Sequence, residues 1–184
     1  MASGEVPSDL TAELTKMADF YKDLDKSLRL YFSKDSPRYE DRFVGYSQSQ
    51  IVDELQHRLK EVELMASLAV FAFLEAAFRN DYEQRCLRRE KDPVSRALRL
   101  IYKTKHKRAK LDEDIFETWR NCQPELGRVI AELRTAFHFR HWLAHGRYGK
   151  PKFGRKYDFN AVFKLADTTL RSFPLLAPEQ LRSS

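Results

Sequence analysis

Apolar and aromatic residues recur at every third or fourth position through most of the chain, the spacing of one face of an α-helix. The first such stretch predicts a helix over residues 8–32, with Ser8 as its candidate N-cap. Residues 33–47 contain Pro37 and Gly45 and show no sustained period. They predict a connection that is long enough to fold over or to have a function of its own.

The second helical stretch runs from about Gln50 to Arg89 without Gly or Pro, and its middle is apolar on nearly all sides. This pattern is typical of a buried, central helix. Ser47 and Gln50 have the spacing of a capping box at its start. About forty residues would extend about 60 Å, which is long for a domain of this size, so we expect a break or bend between Asn80 and Arg89.

Residues that commonly begin or end helices mark the rest of the chain. Asp92 and Pro93 predict the start of a third helix, and Asp112 or Asp114 that of a short fourth helix through Trp119. Pro124 and Gly146 predict the two ends of a fifth helix. A last helix is predicted over residues 160–173. The sequence therefore predicts an all-α fold, a bundle of five or six helices. We expect one domain over residues 1–184, with its core at about 50–173 and helix 8–32 as an accessory element.

Composition excludes several classes of protein. The 184 residues are 42% hydrophobic and 33% charged, with six Gly and seven Pro, too few turn formers for an all-β fold. No basic segment precedes an apolar one at the N-terminus, and the most apolar window, residues 64–78, is shorter than the roughly 20 residues that span a bilayer. Cys86 and Cys122 lack the spacing of a disulfide framework or a zinc site. We expect a cytoplasmic protein without a membrane partner.

Positive charge is concentrated in one region of the chain. Lys and Arg outnumber Asp and Glu by 33 to 27, and the net charge of +6 modestly favours a polyanionic partner. Between Arg134 and Lys156 lie seven basic residues and no acidic one, together with three of the five histidines. A second basic run, residues 103–110, also suits an RNA backbone, although such runs are often only solvated helix ends.

The three histidines allow a metal-binding interpretation. His138, His141 and His145 are spaced by three and four residues, so they fall within an arc of about 60° on an ideal helix. Neutral imidazoles in such an arc could bind zinc. A single helix rarely supplies three ligands to one ion, because its side chains diverge, and no carboxylate pattern completes the set. We therefore expect neither a metal nor another cofactor.

Arg140 and His145 support a second interpretation, the cleavage of phosphodiester bonds in RNA. That reaction needs a group that moves a proton and a fixed cation for the charge that gathers on the phosphate, and His and Arg supply both near neutral pH. On an ideal helix the two side chains point about 140° apart, unless Gly146 ends the helix and frees His145. A salt-bridged Arg and a capping His would explain the same residues without a function.

The pair also resembles a family signature. Arg140, four intervening residues, His145 and then Gly146, late in an all-α chain, look like the motif of the HEPN superfamily (higher eukaryotes and prokaryotes nucleotide-binding domains). The family motif is Arg, four to six residues and His, commonly with a polar residue straight after the Arg. That position is His141 here, where Asn is the commoner choice. The resemblance covers roughly residues 51–170.

This resemblance implies a metal-independent endoribonuclease that dimerises so that two Arg/His motifs face one cleft. Many such domains serve as toxins or antiviral-defence effectors, so an antitoxin or other defence protein is an implied partner besides RNA. Family members often carry an acidic or polar residue on an earlier core helix. Glu75, alone in an apolar window, fits that place and could orient Arg140, or it could pair with Arg79 or face solvent. His141 is then a second catalytic group or a phosphate donor, or else a surface residue.

The loop after the motif supplies candidate contacts to the substrate. Its basic residues suit phosphate groups, and its tyrosine suits stacking on a base. The candidate substrate-binding residues are Arg147, Tyr148, Lys150, Lys152 and Arg155. The alternative function is a non-catalytic HEPN-like module that binds RNA, a nucleotide or a protein.

Overall fold

A computed structural model describes residues 8–146 and 157–176, and its regular secondary structure in these ranges is entirely helical. The α-helices are α1 (Ser8–Tyr31), α2 (Tyr39–Arg42), α3 (Gln48–Arg88), α4 (Pro93–Lys105), α5 (Glu117–Cys122), α6 (Gly127–Ala144) and α7 (Phe159–Ser172). Two 3₁₀ turns, His106–Arg108 and Pro124–Leu126, and a π-helical turn, Leu111–Phe116, lie between them.

The all-α prediction is confirmed, but these ranges contain seven α-helices where five or six were predicted. The additional helix is the four-residue α2, which lies within the predicted connection 33–47. Arg42 holds this segment together, because its Nη2 donates to Ser36 Oγ at 2.6 Å and to Pro37 O at 2.5 Å. Its guanidinium also lies 4.0 Å from the centre of the Tyr31 ring.

The central helix α3 begins as predicted. Gln50 N donates to Ser47 Oγ at 3.3 Å, and Ser47 N donates to Gln50 Oε1 at 2.8 Å, which completes the capping box. Of the break or bend predicted between Asn80 and Arg89, the break does not occur, since α3 continues for 41 residues and ends at Arg88. Arg89 then adopts a left-handed conformation with φ 54°.

Buried charges explain why the last turns of α3 stay helical. Arg85 Nε donates to both carboxyl oxygens of Asp81, at 2.8 and 3.0 Å, and both side chains are almost fully buried. Arg85 also donates to Asp92, the N-cap of α4, and to Pro174 O after α7. The end of α3 is therefore covered by two other segments, and its polar groups are satisfied without a break.

Several other predicted helix boundaries agree with the structure, but the short helix predicted from Asp112 or Asp114 through Trp119 is a π-helical turn, Leu111–Phe116, followed by α5, which ends at Cys122. Asp92 accepts a hydrogen bond from Ser95 N at 3.0 Å, directly before Pro93, the first residue of α4. Residues 124–144 are helical, first as a 3₁₀ turn and then as α6. The last helix, α7, begins one residue before the predicted start.

The core surrounds α3, which packs against α1, α4, α6 and α7. The largest fully buried side chains of the core are Trp119, Phe71, Phe78, Phe116 and Phe173. Helix α1 belongs to the same core, since Leu10, Leu14 and Ala18 are buried within it. Within residues 8–146 and 157–176, no helix is both long enough and apolar enough to cross a membrane.

Aromatic packing brings α3 and α6 together next to the Arg/His motif. The ring of Phe71 on α3 lies 5.7 Å from Phe137 and 6.2 Å from Phe139 of α6, measured between centroids. Glu75 follows Phe71 by one helical turn, and Arg140 directly follows Phe139. The apolar contact therefore places the carboxylate of Glu75 beside the guanidinium of Arg140.

Candidate functional site

The motif lies at the carboxyl end of α6. The helix ends at Ala144, and His145, with φ −102° and ψ 32°, retains one hydrogen bond from its N–H to His141 O at 3.1 Å. Gly146 has φ 84°, a conformation that glycine adopts without strain. The prediction that Gly146 ends this helix is confirmed, and His145 departs from the ideal helical path.

Arg140 is held by the carboxylate of Glu75. Arg140 Nη2 lies 2.9 Å from Glu75 Oε2, and the two side chains are 32% and 22% exposed. The other oxygen, Oε1, accepts a hydrogen bond from Arg79 Nε at 3.0 Å. Glu75 therefore contacts both arginines that the sequence offered as alternatives, and this single carboxylate is shared between two guanidinium groups.

One donor of Arg140 stays without a partner. Its Nε is buried and has no hydrogen-bond acceptor among the described residues. A buried donor without a partner is costly. Guanidinium groups bind phosphate with two donors at once.

A cavity of about 190 Å³ lies beside this ion pair, between α3, the π-helical turn and α6. Its polar wall consists of Glu75, Asp112, Arg134, Arg140 and His141. Arg134 is fixed by Asp112 and by Glu117, whose Oε2 lies 2.7 Å from Arg134 Nη2. The hydrogen bond from Arg134 lowers the pKa of Glu117, so this carboxylate stays ionised.

Arg134, Asp112 and Glu117 form a group of ion pairs beside the candidate site that the sequence did not predict. Arg134 was only counted among the basic residues before the motif, and its two carboxylate partners lie on the π-helical turn and on α5. No local pattern joins these positions. A second, wider cavity of about 620 Å³ lies between α5 and α6 and is also lined by Arg134.

Two imidazoles lie next to each other at the end of α6. The ring centroids of His141 and His145 are 4.1 Å apart with an angle of 45° between the planes, and both residues are exposed. His141 lines the cavity with Arg140, whereas His145 reaches this region through its contact with His141. The site therefore holds two groups that can carry a proton and a fixed cation.

The metal-binding interpretation gains no support from the placement of the side chains. Within residues 8–146 and 157–176, no group of three or more His, Cys, Asp or Glu is arranged to hold a metal ion. His138, His141 and His145 are therefore close in sequence without forming such a group. The predicted substrate contacts Arg147, Tyr148, Lys150, Lys152 and Arg155 lie outside the described residues.

Comparisons with known proteins identify no family for this chain. No model of a protein family matches the chain, and searches of curated proteins and of solved structures found no significant match.

Proposed function

We propose that this protein is a metal-independent endoribonuclease of the HEPN type. Its substrate is RNA, cleaved at a cleft between two copies of the chain, and its biological role is that of a toxin or an antiviral-defence effector. The observation that supports this most is the ion pair between Glu75 and Arg140, beside a cavity that His141 lines and next to the exposed His145.

The proposed reaction uses these groups in two roles. The 2′-oxygen of a ribose attacks the adjacent phosphorus and gives its proton to a base, while the bond to the 5′-oxygen breaks and that oxygen takes up a proton. His145 carries the proton at one of these oxygens, with His141 as the neighbouring second imidazole. Arg140 stabilises the negative charge on the phosphorus-bound oxygens. The products are a 2′,3′-cyclic phosphate and a free 5′-hydroxyl group.

The size of the cavity supports a site that is completed by a second copy. Its volume of about 190 Å³ is below the roughly 300–1,000 Å³ of typical ligand pockets. A twofold axis beside the end of α6 would bring two sets of Arg140 and His145 to one cleft. Arg140 of one copy would then face the phosphate that lies beside His145 of the other.

Purified protein incubated with RNA in the presence of EDTA tests this function. We expect cleavage to persist with EDTA and to fall at least about a hundredfold in His145→Ala and in Arg140→Ala. His138→Ala is the matched control, because His138 is an exposed histidine of the same helix that does not line the cavity. Undiminished cleavage by His145→Ala would reject the proposed mechanism.

The alternative, a HEPN-like module that only binds, gives a different outcome in the same experiment. It predicts RNA or nucleotide binding that survives both substitutions, with no cleavage product from any variant. The ion pair between Arg140 and Glu75 is also compatible with this alternative, since a paired guanidinium has a structural role without catalysis. Expression that is toxic for the wild-type protein and harmless for His145→Ala would favour the nuclease.

A further inference from the structure

A second cluster of positive charge lies at the end of α4. We call residues 103–110 the basic turn: it contains Lys103, Lys105, His106, Lys107, Arg108 and Lys110. Helix α4 ends within it at Lys105, and a 3₁₀ turn follows over His106–Arg108. Residues 104–108 line an open cavity of about 590 Å³. The cluster thus has a concave surface that a ligand can enter.

The basic turn is held in place from its inner side. Tyr82 Oη donates to His106 O at 2.9 Å, and Asp114 accepts hydrogen bonds from Lys105 Nζ at 2.6 Å and from Lys110 N at 2.7 Å. His106 has φ 47° and ψ −131°, a conformation that is strained for a residue other than glycine. These contacts hold the turn in one conformation, so little order must be gained when it binds a ligand.

Ion pairs within the protein leave part of this charge uncompensated. Lys105, Lys107 and Lys110 pair with Asp114, Glu83 and Glu113, respectively. Lys103 and Arg108 are exposed and form no ion pair with the described residues. A helix dipole accounts for cations in the last turn of α4, but Lys107, Arg108 and Lys110 lie beyond that helix.

The basic turn is joined to the candidate site by direct contacts. Arg79 Nη1 donates to Ala109 O at 3.2 Å, and the same guanidinium binds Glu75, the partner of Arg140. Leu111 and Asp112, the residues that follow the turn, line the cavity with Arg140. A strand of RNA whose phosphate lies at Arg140 therefore has the basic turn as a neighbouring positive surface.

We propose that the basic turn binds the phosphate backbone of the RNA strand that is cleaved at Arg140 and His145, through Lys103 and Arg108. This inference rests on the proposed function, because it assigns the path of the same substrate. The contacts are electrostatic, so they position the strand and are independent of its base sequence.

RNA binding by a variant without the catalytic histidine tests this proposal. Fluorescence anisotropy with a labelled single-stranded RNA is measured over a range of salt concentrations for His145→Ala. It is then measured for the same protein with Lys103→Gln and Arg108→Gln added. We expect the added substitutions to weaken binding about tenfold at low salt. We also expect them to reduce the slope of log K against log salt concentration by about 1.4, since each phosphate contact on a single strand contributes about 0.7.

The matched control carries Lys26→Gln and Lys34→Gln, which remove the same net charge from two exposed lysines without an ion pair among the described residues. We expect the control to bind like the His145→Ala parent. Unchanged binding by the basic-turn variant, or an equal loss in the control, overturns the proposal. Thermal unfolding of each variant verifies that the fold is intact.

The outcome for the basic turn is separable from that for the nuclease. RNA binding that depends on the basic turn, together with no cleavage by the wild-type protein, would refute the nuclease and retain the binding surface. If cleavage requires His145 but the basic-turn substitutions leave RNA affinity unchanged, only the binding surface is refuted.

Discussion

Glu75 of α3 lies 2.9 Å from Arg140 of α6 and binds Arg79 with its other carboxyl oxygen. The carboxylate thereby connects the arginine of the candidate motif to the central helix. A guanidinium on a flexible side chain would otherwise lose conformational entropy when it binds a phosphate. Under the proposed function, Glu75 is therefore a positioning residue for Arg140.

Glu75→Gln tests this role. The amide keeps the shape of the side chain but loses the charge, so we expect kcat for RNA cleavage to fall about ten- to a hundredfold, with a smaller change in KM. The ion pair is partly exposed, so its loss should lower the free energy of unfolding by only about 1 kcal/mol. Single-turnover kinetics and urea unfolding measure the two effects.

Arg79→Gln is the control for this variant, because it removes the second partner of Glu75 and leaves the pair with Arg140. We expect it to retain most of the activity. Equal losses of kcat in Glu75→Gln and Arg79→Gln would contradict a specific role of Glu75 toward Arg140.

We expect the buried pair at the end of α3, Asp81 and Arg85, to give the protein a pH-dependent stability. Burial raises the pKa of Asp81 to about 6, although Arg85 lowers it. The folded-state pKa exceeds the pKa of the unfolded chain, which is about 3.9. The contribution of Asp81 to the free energy of unfolding is therefore fully present below about pH 3.9. It is lost as the pH rises through about 6.

Arg85→Met should therefore destabilise the protein more at high pH than at low pH. At pH 8 the variant must either bury the Asp81 carboxylate without its cation or protonate it, and we expect a loss of about 3–5 kcal/mol in the free energy of unfolding. At pH 5 the carboxyl group is protonated, and the loss should be smaller. Urea unfolding at both pH values measures the difference, and equal losses would contradict the assignment.

The double variant Asp81→Asn with Arg85→Met is the control, since it contains no carboxylate at position 81. We expect it to be more stable at pH 8 than Arg85→Met alone. Its loss in the free energy of unfolding, relative to the wild-type protein, should be no larger at pH 8 than at pH 5.

The left-handed conformation of Gly146 makes a third prediction. A side chain at φ 84° is strained, so Gly146→Ala should lower the free energy of unfolding by about 1–2 kcal/mol. Gly146→Asn should cost less, because asparagine tolerates this conformation better than alanine does. Thermal unfolding ranks the two variants, and an alanine variant as stable as the wild-type protein would contradict the strain.

Much of the candidate site could be predicted from residue type and spacing. Arg140, His145 and Gly146 were identified by their order along the chain, and Glu75 as a lone carboxylate in an apolar window. The sequence left open whether Glu75 orients Arg140, pairs with Arg79 or faces solvent, and the packed structure has it contacting both arginines. The aromatic contact between Phe71 and α6 decides this, and no spacing rule contains it.

Other features depended on partners far away along the chain. The break predicted in α3 is absent because Asp92 and Pro174 satisfy Arg85, and both lie outside that helix. Arg134 was counted only as one of seven basic residues in the motif region, yet Asp112 and Glu117 bind it. Net charge therefore did not show which cations remain available to a ligand.

Helix positions and their ends were readable from the amino-acid sequence because they depend on nearby residues. The capping box of Ser47 and Gln50, the N-cap Asp92 and the glycine after α6 each act within a few positions. Tertiary structure alone determined which carboxylates from distant segments pair with Arg134 and Arg140, and so where cations stay unpaired. Ion pairing acts over a few ångströms in space, and residues distant in sequence come that close only when the core packs.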